Sequence, residues 1–276
     1  MAKDKKTIRN LIIFTVLTLA CGIIGKSINT PAMPVDQQAG TLVWLAAPFL
    51  VSILLRAFAG DGWKDLGLRP AIKDNGKWYL LSIFIYPLVA IIVIIIAAIS
   101  GAIPRSVFSQ DTISLLFEAF LLLFMGTIIK NILEEFAFRG YLAPKVYSLK
   151  LNAWLSHAIV GLIWGAWHIP FLGYVFSYLN ESSATLIPRL LLGTIAASLV
   201  YGEIRIRTNS VWPAFLMHTF GGAFIGAFLL NLDILKISAK NMVFFSTGVE
   251  GILTICLFTL VGYGLIKSRL SIKEEH

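Results

Sequence analysis

Long, nearly uncharged runs are the feature that most limits how this chain can fold. Eight apolar segments are visible, at residues 10–28, 40–58, 78–100, 113–133, 153–176, 186–203, 210–231 and 244–266. A helix of about 20 residues crosses the roughly 30 Å hydrocarbon core of a bilayer. Only helices and closed barrels satisfy their backbone polar groups in lipid, and the short alternating segments of a membrane barrel are absent. The sequence therefore predicts an all-α, polytopic membrane helical bundle of about eight transmembrane helices.

Composition agrees with this class. Charged residues make up 14% of the 276 residues, whereas soluble domains average about 25%. The longest polar connection, residues 59–78, is too short to form a soluble domain of its own. We therefore expect a single membrane-embedded domain over residues 1–276.

The placement of Lys and Arg predicts the orientation of the helices. If the N-terminus is cytoplasmic, all but five of the 23 basic residues fall on the inner side, including Lys130 and Arg139 near the inner end of the fourth segment. The five on the outer side are Lys26, Arg105, Arg189, Lys236 and Lys240. The positive-inside rule then predicts that both termini are cytoplasmic. The net charge of +8 fits contact with anionic membrane lipid rather than nucleic acid. No organelle signal is visible, so we expect a bacterial plasma membrane.

Ionisable side chains inside a membrane are costly and are functional candidates by default. Those in or beside the apolar segments are Glu134, Glu135, His157, His168 and His218. The remaining histidine, His276, is the last residue and is expected to be solvated.

The acidic pair is expected near the inner, C-terminal end of the fourth helix, where anions are unfavourable unless they are compensated. Arg139 follows Glu135 by four residues and shares its helical face. The spacing predicts a Glu135–Arg139 link, with Glu134 turned by about 100° to face the bundle interior. The alternative is a solvated pair at the membrane surface.

His168 and His218 are predicted to lie at different depths from the inner membrane surface. Pro170 should end or kink the fifth helix just after His168. His218 lies about 12 Å into the seventh segment, whereas His168 lies about 24 Å from Asn152 if the fifth helix begins there. We therefore expect the fifth helix to start later, with residues 141–152 associated with the membrane.

Other residues have simpler expected roles. His157 is expected to serve in packing or at the membrane interface, and Cys21 and Cys256 as small packing residues. Two glycine pairs match the small-xxx-small spacing of closely packed membrane helices. They are Gly161 with Gly165, and Gly222 with Gly226.

Three short motifs carry a family resemblance. "EEFAFR", residues 134–139, fits EExxxR; Trp164 and His168 fit an aromatic-xxx-His motif; His218 opens an HxxxN-like motif. In this order the chain resembles the CPBP family, the type II CAAX prenyl endopeptidases and Abi-type intramembrane proteases. The resemblance covers roughly residues 110–232, the expected catalytic core. The loop "WKDLGLRP" also resembles loops of bacterial members.

One position departs from the family pattern. Gly222 stands where the family often carries an Asn that is thought to donate to the oxyanion. Losing one such donor can cost about 10²–10³ in rate. Thr219 or a backbone N–H beside the paired glycines is a conceivable substitute.

The resemblance implies an intramembrane endopeptidase that hydrolyses a membrane-associated or lipid-anchored protein or peptide, reached from the cytoplasmic side. Glu134 and His168 would hold and deprotonate the water. His218 would donate to the oxyanion, and Glu135 and Arg139 would orient these groups. Whether a cofactor takes part stays open: Glu134, His168 and His218 are also a possible zinc set. The HExxH motif is absent, and the metal-free mechanism is favoured.

Two other classes stay open. A non-catalytic membrane immunity or scaffold protein of the same fold is the main alternative. A proton-coupled transporter would use Glu and His as a relay. Transport ranks last, because these residues cluster in the second half of the chain rather than at matching positions in two halves.

Overall fold

The computed structural model describes residues 2–104, 109–177, 179, 181–230 and 237–274. Arg105, Lys236 and His276 lie outside these ranges. The α-helices are α1 Ala2–Ile28, α2 Ala39–Phe58, α3 Ile72–Ile99, α4 Gln110–Ala137, α5 Ala143–Tyr147, α6 Ala153–His168, α7 Leu172–Val175, α8 Ser183–Thr208, α9 Trp212–Leu230, α10 Ala239–Phe245 and α11 Ile252–Glu274. A π-helical turn, Phe138–Leu142, joins α4 to α5.

Within those ranges, seven helical segments are long and apolar enough to cross a membrane. They are Asp4–Ile28, Ala39–Phe58, Ile72–Ile99, Gln110–Tyr147, Ala153–Val175, Ser183–Thr208 and Ile252–Ser271. The remaining predicted segment, 210–231, corresponds to the 19-residue helix α9. The protein is thus a polytopic helical bundle, as the sequence predicts.

The fourth segment is longer than predicted. The helix does not end near residue 133 but continues through the π turn to Tyr147. Phe138, Tyr141 and Leu142 are fully buried in this continuation, so core packing carries the helix past its charged residues. Lys130 and Arg139 therefore lie inside a helical segment that ends only at Tyr147.

The last segment begins later than predicted. Residue 244 falls in the short helix α10, which ends at Phe245. A turn follows in which the Gly251 N–H donates to the Gly248 carbonyl. The final long helix begins only at Ile252, because this glycine-containing turn interrupts the apolar run.

Aromatic side chains fix the end of α6 against α2. The Trp44 and Trp167 rings stack with centroids 4.6 Å apart. Each indole N–H also donates to the other residue's backbone carbonyl, at 2.9 Å from Trp44 and 3.2 Å from Trp167. Since His168 follows Trp167 directly, the two hydrogen bonds and the ring stacking fix the position of the His168 backbone.

One of the two predicted glycine pairs brings helices together. A Cβ on Gly161 would lie 2.5 Å from the Ile195 Cα, and one on Gly165 would lie 2.4 Å from the Thr194 Oγ1. α6 and α8 therefore touch through their backbones. A Cβ on Gly222 meets nothing within 4 Å, and one on Gly226 would lie 2.8 Å from the Leu123 side chain on α4, so the second pair is not a backbone contact of this kind.

The cysteines are both free thiols. Cys21 is half-buried, as expected of a packing residue, whereas Cys256 is exposed. The packing role predicted for Cys256 is therefore wrong, because its side chain is exposed and does not pack inside the bundle.

Candidate active site

Three helical segments bring the predicted site residues together. Glu134 lies 13 residues before Tyr147, about 20 Å from that helix end, and His168 lies about 24 Å from Asn152. α6 begins at Ala153, so the late start expected for this helix was wrong. These two distances are similar because the α4 segment continues past Glu134 for nearly the same length as α6 runs before His168.

Glu135 is the centre of the polar cluster. Its Oε1 accepts hydrogen bonds from Arg139 Nη1 at 2.9 Å and from His218 Nδ1 at 2.8 Å. The predicted link between Glu135 and Arg139 is present, and both side chains are almost completely buried. Because one carboxylate oxygen binds both partners, the π turn and α9 are held to the same point on α4.

Two aromatic rings enclose the Arg139 guanidinium. Its Cζ lies 4.0 Å from the Trp164 ring centroid and 4.1 Å from that of Tyr201. Guanidinium groups stack favourably on aromatic faces, particularly when they are desolvated. This sandwich fixes Arg139 from α6 and α8 while it binds Glu135 on α4.

Glu134 points to a different set of partners, as its position on the helix predicts. Its Oε2 accepts the Trp164 indole N–H at 3.3 Å and lies 4.0 Å from His218 Nε2. Its Oε1 lies 2.5 Å from Lys130 Nζ, one helical turn earlier. Glu134 therefore faces the bundle interior, but it is paired with a cation.

Lys130 is the site residue that the sequence prediction missed. It lies four residues before Glu134, the spacing of a helical ion pair. That spacing could have revealed the contact, but Lys130 was taken only as a marker of the inner side of the membrane.

His168 ends α6 and has a defined orientation. Its Nδ1 donates to the Trp164 carbonyl at 2.9 Å, because a carbonyl oxygen can only accept. Nε2 is then the ring nitrogen available to another partner. A 3₁₀ turn, Ile169–Phe171, follows directly, so the helix break predicted from Pro170 is confirmed.

The cluster is buried but opens on one side. Glu134 and Glu135 are 1% and 0% exposed, whereas 36% of the Lys130 side chain and 15% of that of His218 are exposed. A molecule approaching Glu134 would thus pass Lys130 and His218. In the described part of the chain, the buried atoms without a hydrogen-bond partner include Glu135 Oε2 and Arg139 Nη2 of this cluster, and such atoms are unusual in folded proteins.

Thr219, one of the two substitutes considered for the missing amide at Gly222, already has hydrogen-bond partners. Thr219 donates its hydroxyl proton to the Phe215 carbonyl at 2.9 Å. Its oxygen accepts from Asn131 Nδ2 at 3.3 Å. Thr219 is therefore committed to other partners and does not serve as the substitute donor considered above.

The site does not have the form of a metal centre. Among the described residues, no three His, Cys, Asp or Glu side chains are grouped closely enough to hold a metal ion. Glu134 faces Lys130, and His218 donates its Nδ1 proton to Glu135. Glu134, His168 and His218 thus do not form a three-ligand set in this arrangement.

His157 belongs to a separate polar network. Its Nε2 lies 3.0 Å from Glu203 Oε1, and its Nδ1 lies 3.2 Å from the Tyr147 hydroxyl. Arg269 binds both Glu203 oxygens, at 2.7 and 2.8 Å. His157 is fully buried, so it is a member of an ion network rather than an interfacial or apolar packing residue.

Comparison with known protein families gives a match to part of the chain. Residues 116–224 match the family model described as "Type II CAAX prenyl endopeptidase Rce1-like". The matched segment contains all the predicted catalytic residues, from Glu134 to His218. No curated protein matches the chain.

Proposed function

We propose, from the premise that residues 116–224 make this chain a member of the CPBP family, that it is an intramembrane endopeptidase. Its substrate would be a membrane-associated or lipid-anchored peptide or protein. One observation carries the proposal: buried Glu134 lies beside His218 Nε2, while Glu135 receives both Arg139 and His218 on one oxygen. The first carboxylate is thus arranged for chemistry and the second for orientation.

Glu134 is the proposed general base. A water held between its Oε2 and His168 Nε2 gives its proton to Glu134, and the oxygen adds to the scissile carbonyl carbon. General base catalysis of this kind contributes about 10²–10⁴ in rate. When the tetrahedral intermediate breaks its C–N bond, Glu134 returns the proton to the leaving amine.

His218 is the proposed oxyanion donor. Its Nδ1–H is held by Glu135, which directs Nε2 towards the space beside Glu134. A protonated Nε2 donates to the developing oxyanion, where one donor can be worth about 10²–10³ in rate. Arg139, fixed between two aromatic rings, holds the Glu135 carboxylate in place.

The proposed mechanism is metal-free and opens to the cytoplasmic side. The oxygens of Glu134 are engaged by Lys130 and Trp164, an arrangement that suits a base more than a metal ligand. The exposed edges of Lys130 and His218 give the proposed route for substrate. In a bacterial plasma membrane, leader peptides and bacteriocin precursors are candidate substrates.

A non-catalytic immunity or scaffold protein is the second candidate. The observation in its favour is Gly222, where no side-chain donor is present and a Cβ would meet open space. Such a protein would keep the cluster only for stability.

The test is cleavage of a membrane-tethered peptide library by purified protein in liposomes, read by mass spectrometry. Glu134→Gln keeps the size of the side chain but removes the base, and Glu118→Gln is a matched control on the exposed part of α4. We expect cleavage by wild type and by Glu118→Gln, with and without a chelator, and none by Glu134→Gln. Equal cleavage by all three proteins would show that Glu134 is not the base. Cleavage by wild type that occurs without the chelator and is lost when it is added would show that a metal is needed.

A further inference from the structure

The connection between α2 and α3, residues 59–71, touches the elements that carry the site. We call it the polar loop. It includes the "WKDLGLRP" stretch, to which the proposed chemistry gives no role. None of the proposed catalytic residues lies on it, so its contacts have to be explained in another way.

Two arginines bind the backbone of the π turn. Arg205 Nε donates to the Arg139 carbonyl at 3.0 Å, and Arg56 Nη2 donates to the Gly140 carbonyl at 2.6 Å. Both arginines are almost completely buried, at 4% and 2% exposure. Buried carbonyls require partners, and π turns are frequent at functional sites. The backbone that presents Arg139 is therefore held by side chains from α8 and α2.

The polar loop holds both arginines in turn. Arg205 Nη2 donates to the Asp65 carbonyl at 2.6 Å, and Arg56 Nη1 binds Asp65 Oδ1 at 2.7 Å. Lys145 on α5 binds the other Asp65 oxygen at 2.8 Å. One aspartate thus connects α2, α5 and α8 around the π turn.

The same loop also holds the start of α9. The Val211 N–H donates to the Gly67 carbonyl at 2.9 Å. The Trp212 indole N–H donates to the Leu68 carbonyl at 2.6 Å. α9 carries His218 two turns further on, so the position of His218 along the bundle depends on the contacts between the polar loop and the start of α9.

We infer that the polar loop is the positioning element of the site: through Arg56 and Arg205 it fixes the π turn relative to α9, so that Arg139 and His218 both reach Glu135. Arg56 and Arg205 are positioning residues and touch no substrate. Only the effect on cleavage rests on the proposed function, whereas the effect on geometry can be measured in an inactive protein.

Gly67 is the point at which this idea can be tested with a small change. Its φ of +77° is unfavourable for other residues, and a Cβ there would lie 2.7 Å from Arg205 Nη2. Gly67→Ala therefore displaces the loop from Arg205. Gly101 has nearly the same φ, +76°, with nothing within 4 Å of its Cβ. Gly101→Ala is the matched control for backbone strain alone.

The measurement is the NMR spectrum of the histidine rings in ¹⁵N-His-labelled protein in lipid nanodiscs. His218→Gln assigns the signal of the Nδ1–H that binds Glu135. We expect Gly67→Ala and Arg205→Ala to shift or remove this signal. Gly101→Ala should leave it in place, and the His157 signal reports whether the rest of the bundle is intact.

Asp65→Asn, at a half-buried position, is the mild variant should the other two not yield folded protein. An unchanged His218 signal in folded Gly67→Ala or Asp65→Asn would overturn the inference. In the cleavage assay, we expect the loop variants to lower kcat by about 100-fold with KM nearly unchanged, the effect of misplaced reacting groups. Absence of cleavage in wild type would count against the proposed function and leave the NMR test intact.

Discussion

Lys130 is the cation that pairs with the buried Glu134 carboxylate. Its Nζ is the cation closest to the buried Glu134 carboxylate among the contacts that define the site, at 2.5 Å from Oε1. A buried carboxylate without a cation is strongly disfavoured and takes up a proton instead. The proposed mechanism needs an ionised Glu134, so we expect it to need the charge of Lys130 as well.

The prediction for a single residue concerns removal of the Lys130 charge. Lys130→Met should lower cleavage by at least about tenfold, because a protonated Glu134 lacks the basicity that general base catalysis supplies. Lys130→Arg, which keeps the charge, should retain most of the activity. Rates in the liposome cleavage assay check this. Equal rates for the Met and Arg variants would mean that the charge of Lys130 has no part in catalysis.

Local contacts were predictable from the sequence, and contacts between distant segments were not. The link from Glu135 to Arg139 follows from their spacing along one helix. The Tyr201 ring on Arg139 comes from another helix, and no spacing along the chain reveals it. Lys130 was local and still missed, because its basic side chain was taken only as a marker of the inner side of the membrane.

At the scale of elements, the fourth helix carried the main error in the predicted fold. A cluster of charges after an apolar run usually marks the membrane surface, yet here the chain continues as a helix to Tyr147. The charges are compensated inside the bundle by one another and by aromatic rings. Hydropathy records the cost of each charge separately, so it cannot report that these charges are paired.

The contact between α6 and α8 gives a stability prediction. Gly161→Ala would place a methyl group 2.5 Å from the Ile195 Cα and 2.7 Å from the Thr194 carbonyl oxygen. Because these are backbone atoms, the helices must separate, at a cost of about 1–3 kcal/mol. Gly126→Ala, on α4 with open space around it, should not destabilise the protein. Thermal unfolding in detergent compares the two, and equal midpoints would contradict the close contact.

The attachment of the polar loop should depend on pH. Burial raises the pKa of Asp65, but hydrogen bonds from Lys145 and Arg56 outweigh this and lower the pKa below its ordinary value of 3.8. A lowered pKa means that the ionised form stabilises the fold above the ordinary value, and that this stability is lost as the pH falls through the folded-state pKa. Wild type should therefore exceed Asp65→Asn in unfolding temperature at pH 7, and the difference should shrink below pH 3.8. A difference that grows in acid would reverse the assigned sign.

At the scale of the whole molecule, a buried ion network attaches the last helix to the bundle. Arg269 on α11 binds Glu203 on α8, which in turn binds His157 on α6. Glu203 is fully buried. The network lies apart from the site, so its contribution is to stability rather than to chemistry.

Breaking this network should destabilise the protein without altering the site. Arg269→Met leaves the buried Glu203 without its bidentate partner, and losses of about 3–5 kcal/mol are typical of broken buried pairs. Lys267→Met, at an exposed position on the same helix, is the control. Chemical denaturation should separate the two variants, while the His218 ring signal stays unchanged in both. A shift of that signal in folded Arg269→Met would mean that the two networks are coupled.

The central claim is that buried Glu134 activates the water that hydrolyses a peptide bond. The most direct measurement is the cleavage rate of one identified membrane-tethered peptide by wild type, Glu134→Gln and Glu118→Gln in the same liposomes. The account predicts a rate about 10²–10⁴ lower for Glu134→Gln and an unchanged rate for Glu118→Gln. A Glu134→Gln protein that cleaves as fast as wild type would contradict it.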